Sequence, residues 1–244
     1  MIYSANAPMD FESANNIREL GGYINGDGIP LKKHVLLRGG DLSLLTEKEV
    51  GRLEAYGIKT SIDLRISKEK KASDPFNESN HLVYYAIPIA GAVDIACAPK
   101  DLLYTLYVDI LENHKEALRR EIRIIAGESE GIIFHCTAGK DRTGVTAMLI
   151  LAVCGVCEDQ IIADYASSGD NNRAVTMRHL AQLKDSGITD IPMEIFESDP
   201  DTMRRTLDYL NERYGGPVNY MKTIGVTGEE MQKIREKMLE AQYG

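Results

Sequence analysis

The stretch Gly131-Ile132-Ile133-Phe134-His135-Cys136-Thr137-Ala138-Gly139-Lys140-Asp141-Arg142-Thr143-Gly144 decides how this chain is read. Its opening run is apolar and β-branched after a glycine, the pattern of a short strand buried on both faces. Thr143 to Cys154 carries an apolar helical pattern that stops at Gly155. A strand, a tight loop holding Gly139 and a helix in direct succession make an anion site, because successive backbone N–H groups turn into the loop and the helix dipole adds to them. Arg142 stands six residues after Cys136. Its planar fork holds two oxygens of a phosphoryl group at once, which a lysine cannot do.

Cys136 lies at the focus of these donors. Helix N-termini and nearby cations favour the thiolate, which is the form that attacks. A thiolate there attacks phosphorus in line, and water hydrolyses the resulting phosphocysteine. Arg142, Lys140 and the backbone of Thr137, Ala138, Gly139 and Asp141 supply the charge stabilisation that Mg²⁺ gives in kinases, so neither metal nor cofactor is expected. Thr143 is placed to hydrogen-bond the sulfur and ease its departure. His135 is expected to orient the loop by hydrogen bonds rather than transfer protons.

Working outward, short apolar runs alternate with helical patterns, which is the signature of an α/β domain. Val35–Arg38, Ile58–Arg65 and Leu82–Ile87 read as strands. Thr46 and Glu49 have capping-box spacing at the start of a helix ending near Gly57. Ser67 to Asn80 reads as a loop, and Leu102 to Ala126 as one or two helices. The tail from Met177 is helical and more charged, with a start at Ser198-Asp199-Pro200-Asp201, a stop at Gly215-Gly216-Pro217 and a capping box from Thr227 to Glu230. The 244 residues form one domain, 1–244, in which 177–226 is expected to be a helical cap.

The chain is 43% hydrophobic with a formal net charge of −9, which supports a sizeable core and argues against a general nucleic-acid binder. A small positive pocket on an acidic protein still suits an anionic substrate. No apolar run reaches the roughly 18 residues that span a bilayer, so no stable membrane insertion is expected. The N-terminus lacks a secretory signal, and the four cysteines do not form a secreted framework, which fits a reducing cytoplasm. Cys154-Gly155-Val156-Cys157 lacks two further zinc ligands and is expected to pack. A protective disulfide with Cys136 from that pair or from Cys97 is the alternative. Nothing in the sequence speaks to oligomeric state.

His135 to Gly144 resembles the loop of the protein tyrosine phosphatases, more narrowly the bacterial and fungal group with H-C-x-x-G-K-D-R-[ST]-G. That group includes secreted mycobacterial and listerial enzymes acting on phosphotyrosine and phosphoinositides. Asn16-Ile17-Arg18-Glu19-Leu20-Gly21-Gly22 resembles its N-x-R-D-x-G-G segment, Leu37 to Thr46 its L-x-R-S-x-x-L…L-T segment, and Ser61 to Arg65 its V-I-D-L-R strand. Ile162 to Tyr165 and the tail from Tyr214 to Leu239 follow the same pattern. Glu19 replaces the group's usual Asp and Gly39 its usual Ser, both outside the loop. The resemblance implies a central, mostly parallel sheet flanked by helices with a helical C-terminal cap, which would act as a lid. The first reading is a tyrosine or dual-specificity protein phosphatase acting on a phosphorylated protein, and the alternative is a phosphoinositide or inositol-phosphate phosphatase.

In that group the aspartate at the position of Asp141 is the usual proton donor, protonating the leaving oxygen and then activating water. Asp63, at the end of a neighbouring strand, is the second candidate; alternatively it is structural and pairs with Arg65 or Arg18. Lys140 fits a multiply charged substrate or merely neutralises Asp141. A silent phosphate-binding module is disfavoured because Cys136, Asp141, Arg142 and Thr143 are all present. A sulfurtransferase is disfavoured by His135, Lys140-Asp141 and the Arg142-Thr143-Gly144 ending.

Overall fold

The computed structural model describes residues 4–71, 73–74, 76–79, 82–90, 101–187 and 192–241. Gly131–His135 is the central strand β5, and every residue in it is buried. It lies between two parallel neighbours, β2 (Leu36–Gly39) and β3 (Ile58–Asp63). β4 (Val83–Ala86) extends the sheet in parallel beyond β3, and β1 (Arg18–Glu19) closes the other edge antiparallel to β2. The order is β1-β2-β5-β3-β4, a mostly parallel sheet as the sequence predicts. All four parallel strands point their carboxyl ends the same way, the end where open α/β sheets bind ligands.

The helices follow their local signals. α1 (Glu47–Ala55) starts at the predicted Thr46–Glu49 capping box. The region after Leu102 divides into α2 (Leu102–Asn113) and α3 (Lys115–Gly127). α4 (Asp141–Val153) begins two residues before the predicted start, because Lys140 takes the cap and Asp141 occupies the first turn, where the helix dipole favours a carboxylate. α5 (Glu158–Asp185) is a single helix of 28 residues, so the helical tail begins well before Met177.

α6 (Pro200–Tyr214) is capped by Asp199, whose side chain accepts from the Asp201 N–H, and stops at Gly215 with φ of 73°. α7 (Pro217–Thr223) and α8 (Gly228–Met238) complete the tail. Met203, Leu207, Leu210, Tyr220, Met221 and Ile234 are buried in the same apolar cluster as Ile62, Ile132 and Phe134 of the sheet. The tail helices therefore share the core on which the sheet rests. A smaller cluster, with Ile17, Leu37, Leu53 and Ile133, packs α1 on the other face.

Candidate active site

The segment from Cys136 to Arg142 leaves the carboxyl end of β5 and turns into α4. Gly139 lies at φ of 63°, and a Cβ there would sit 2.4 Å from the Gly39 backbone. Both the backbone conformation and the close approach demand glycine. Three successive loop carbonyls are claimed from outside. The Asp41 N–H donates to Thr137 O at 2.9 Å. Asn16 Nδ2 donates to Ala138 O and Gly139 O, both at 3.0 Å. Asn172 Nδ2 reaches Ala138 O at 2.9 Å, and Arg38 Nη2 reaches Gly139 O at 2.9 Å. In a trans peptide the N–H points opposite the C=O, so the amides of Ala138, Gly139 and Lys140 turn inward around Cys136. An arrangement of this kind can serve as the floor of an anion cradle.

The floor rests on a buried ionic cluster. Arg18 and Arg38 are fully buried and share Asp164, with Arg18 Nε at 3.0 Å from Oδ1 and Arg38 Nη1 on Oδ2. Tyr23 donates to Asp164 Oδ1 at 2.9 Å, and Arg18 also holds Asn16 by its carbonyl and side chain. Burial pushes the Asp164 carboxyl up, and the two arginines outweigh it and hold it below the usual range. Asn16 itself has φ of 59°, a left-handed conformation that asparagine tolerates.

Arg142 closes the cradle. Its Nη1 and Nη2 each lie 2.7 Å from an oxygen of Glu69, a bidentate pair. Thr137 Oγ1 donates to Glu69 Oε1 at 2.7 Å. Burial raises the Glu69 carboxyl, but Arg142 and Thr137 bring it down to about 2. The charges of Cys136 and Glu69 raise Arg142 despite its own burial. Glu69 sits in the short helix Ser67–Glu69, inside a region read from sequence as loop. The signal that could have found it is an acid four residues beyond Arg65, on the segment leaving a strand beside β5.

The two acid candidates sit in unlike surroundings. Asp63 is fully buried and bound by Arg65, from Nε to Oδ1 at 2.9 Å and from Nη2 to Oδ2 at 3.0 Å. Tyr84 donates to it at 2.9 Å and Lys70 lies 3.2 Å away. Burial works against ionisation there, and Arg65 overrides it, holding Asp63 well below the carboxylate range. Asp141 is partly exposed at the mouth. Its Oδ1 accepts from Tyr107 at 2.7 Å and lies 3.4 Å from Lys140 Nζ.

Lys140 does more than neutralise Asp141. Its ammonium donates to Ile195 O at 2.7 Å and Glu197 O at 2.8 Å, fastening residues 195–197 to the loop. Two expected hydrogen bonds are not found. Among the described residues, neither ring nitrogen of His135 has a partner, and burial lowers that ring to about 4. His135 therefore fills space as a neutral ring beside Asp63 instead of tethering the loop. Thr143 Oγ1 is likewise buried without a partner, so it makes no bond to the Cys136 sulfur here.

Cys154 is a buried free thiol pushed up to about 12 by that burial, and Cys157 is exposed and free. At 1.5 Å of rise per residue, α4 carries Cys154 about 20 Å from the loop, out of disulfide reach of Cys136. Cys97 lies outside the described residues.

A cysteine at the carboxyl end of a mostly parallel sheet, in a loop whose carbonyls are bound from outside and whose arginine lies within the field of the sulfur, is the arrangement of a cysteine-dependent phosphatase. The chain belongs to the tyrosine phosphatase family, which its residues 9–240 match. It is 30% identical to a Cupriavidus necator protein assigned to the tyrosine-protein phosphatases, over 87% of this chain and 82% of that one. It is also 30% identical to the tyrosine-protein phosphatase of Nostoc commune, over 84% of this chain and 74% of that one. Identity to the triple specificity protein phosphatase PtpB of Mycobacterium tuberculosis is 22%, over 91% and 99% of the two chains. No helix among the described residues is long and apolar enough to cross a membrane.

Proposed function

We propose that this enzyme hydrolyses phosphotyrosine in proteins, with Cys136 as nucleophile, Arg142 and the loop amides as the phosphate clamp, and Asp141 as general acid. The observation that carries the reading is the carbonyl-out arrangement of residues 137–139, which turns three amides toward Cys136. Cys136 Sγ attacks phosphorus as Asp141 protonates the departing phenolic oxygen, leaving phosphocysteine and free tyrosine. Asp141, now ionised, takes a proton from water, whose oxygen attacks phosphorus and releases phosphate and the thiolate. Asp63 is assigned a structural role because Arg65 claims both its oxygens. Residues 177–226 are assigned as a cap whose 195–197 segment Lys140 holds beside the mouth.

Phosphotyrosine is favoured over a phosphoinositide by the state of the cations. Lys140 is spent on backbone carbonyls, Lys70 pairs with Asp63, and Lys71 lies 3.6 Å from Asp41. A multiply phosphorylated headgroup would have to break these pairs. Three free cysteines among the described residues, Cys136, Cys154 and Cys157, suit a reducing cytoplasm. The test is phosphate release from phosphotyrosine peptide, phosphoserine peptide and phosphoinositides under reducing conditions, with Cys136→Ser as control. Release from the phosphotyrosine peptide that vanishes in Cys136→Ser is expected; a faster phosphoinositide reaction would overturn the substrate assignment.

A further inference from the structure

We infer that Tyr107 is a positioning residue for the proton donor, holding one oxygen of the Asp141 carboxyl and aiming the other at the substrate. The inference rests on Asp141 being that donor. Tyr107 lies on α2 in the row Leu103, Leu106, Tyr107, Ile110, Leu111, all buried against the core. Phenylalanine would fill that row equally well. A buried hydroxyl costs about 1–3 kcal/mol unless it is bonded, so its partners carry the meaning of the choice.

Those partners are Asp141 Oδ1 at 2.7 Å and the Tyr165 hydroxyl at 2.8 Å. The rings of Tyr107 and Tyr165 meet edge to face at 5.8 Å. A phenol has one proton, and the carboxylate takes that of Tyr107. Tyr165 must then be the donor to Tyr107, which gives a directed chain from Tyr165 through Tyr107 to Asp141. Burial raises both phenols, and the charge of Asp141 raises them further, so neither hydrogen bond is lost to ionisation.

The geometry selects one oxygen. Tyr107 and Lys140 both sit on Oδ1, and among the described residues Oδ2 has no partner. Oδ2 is therefore the atom that carries the proton to a substrate. The groups facing the pair are Lys140 and Arg142 on the loop and its helix and Tyr165 from α5, with Arg38 and Asp199 within the field of Tyr165. Tyr107 is the uncharged donor that touches the carboxylate. A donor to the carboxylate favours its ionised form. Removing the donor shifts the fall in kcat/KM above the acid's range toward higher pH.

The experiment is the kcat/KM–pH profile on aryl phosphates for wild type, Tyr107→Phe, Tyr165→Phe and Asp141→Asn. Asp141→Asn is expected to abolish the basic limb. Tyr107→Phe is expected to move that limb up by about 0.5–1 pH unit and to lower kcat/KM roughly tenfold, a part of the ~10²–10⁴ a general acid supplies. Tyr165→Phe is expected to give a smaller shift of the same sign; should Tyr107→Phe not fold, this variant carries the test. If Asp141→Asn removes the limb while both phenylalanine variants leave it unmoved, Tyr107 is only packing and the inference falls alone. If Asp141→Asn retains the limb, the assignment of the acid falls and takes this inference with it.

Discussion

The floor and the rim of the catalytic loop are held by different kinds of interaction. Below the loop, Asn16, Arg18, Arg38 and Asp164 are buried and partnered with one another or with loop carbonyls. At the rim, Glu69, Asp141 and Thr137 are partly or fully open to solvent, and their bonds run to Arg142, Tyr107, Lys140 and one another at the mouth. A substrate cannot exchange with the floor without dismantling the core, whereas it meets the rim directly. The direction of the amides is thus a property of folding, and the placement of arginine and acid is a property of the open site.

The largest effect expected from this contrast is at Asp164. Replacing it with alanine leaves Arg18 and Arg38 as buried charges without a counter-ion, which costs about 3–5 kcal/mol. Denaturant unfolding of Asp164→Ala should show a loss of that size. A loss under about 1 kcal/mol would mean that the floor is as loosely held as the rim.

Two buried groups behind the loop sharpen the contrast through pH. Burial lowers His135 from 6.5 to about 4. As pH falls from 6.5 toward 4 the unfolded chain takes up a proton that the folded ring refuses, so stability drops. Burial raises Glu121, which among the described residues meets only the Thr146 hydroxyl, from 4.5 to about 8. As pH rises from 4.5 toward 8 the unfolded chain releases a proton that the folded carboxyl keeps, and stability drops again. Each slope is about 1.4 kcal/mol per pH unit, so they offset each other between 4.5 and 6.5 and only the Glu121 arm remains above. Unfolding at pH 5, 6.5 and 8 should give a plateau and then a decline, which Glu121→Gln removes. A wild type equally stable at pH 6.5 and 8 would refute the buried acid.

The same division governs how much was legible in the sequence. Strand β5, Cys136, Gly139 and Arg142 sit within one local pattern, and local patterns survive the loss of the third dimension. The capping boxes at Thr46 and Thr227 were readable for the same reason. The floor was not, because Asn16 lies 122 residues from Ala138 and Arg18 lies 146 from Asp164, and no periodicity links such positions. Asn16 and Arg38 carry no mark of their role in the sequence, and Arg18, a candidate partner for Asp63, pairs instead with Asp164. The charge of Lys140 is legible, yet beside Asp141 its partners are two backbone carbonyls, which every residue has and no sequence pattern marks. The hydrogen bonds expected of His135 and Thr143 failed because a buried strand end and the first turn of a helix leave those side chains facing packed atoms.

The smallest expected effect on stability, and the one that best separates rim from floor, is at Glu69. Glu69→Gln keeps the shape of the side chain and one acceptor oxygen but removes the charge that pairs with Arg142. Because the pair is partly open to solvent, its loss should cost under about 1 kcal/mol of stability, against several for Asp164→Ala. Catalysis should respond differently. Arg142 loses the bidentate partner that fixes its plane, so kcat should fall about tenfold, or roughly 1.4 kcal/mol of barrier. A carboxylate beside a bound phosphate repels it, so KM should stay level or fall. Steady-state kinetics and unfolding on the same preparation decide the matter. A KM that rises with kcat unchanged would make Glu69 a binding group, and a stability loss above about 2 kcal/mol would make it part of the floor, erasing the distinction between the loop's two sides.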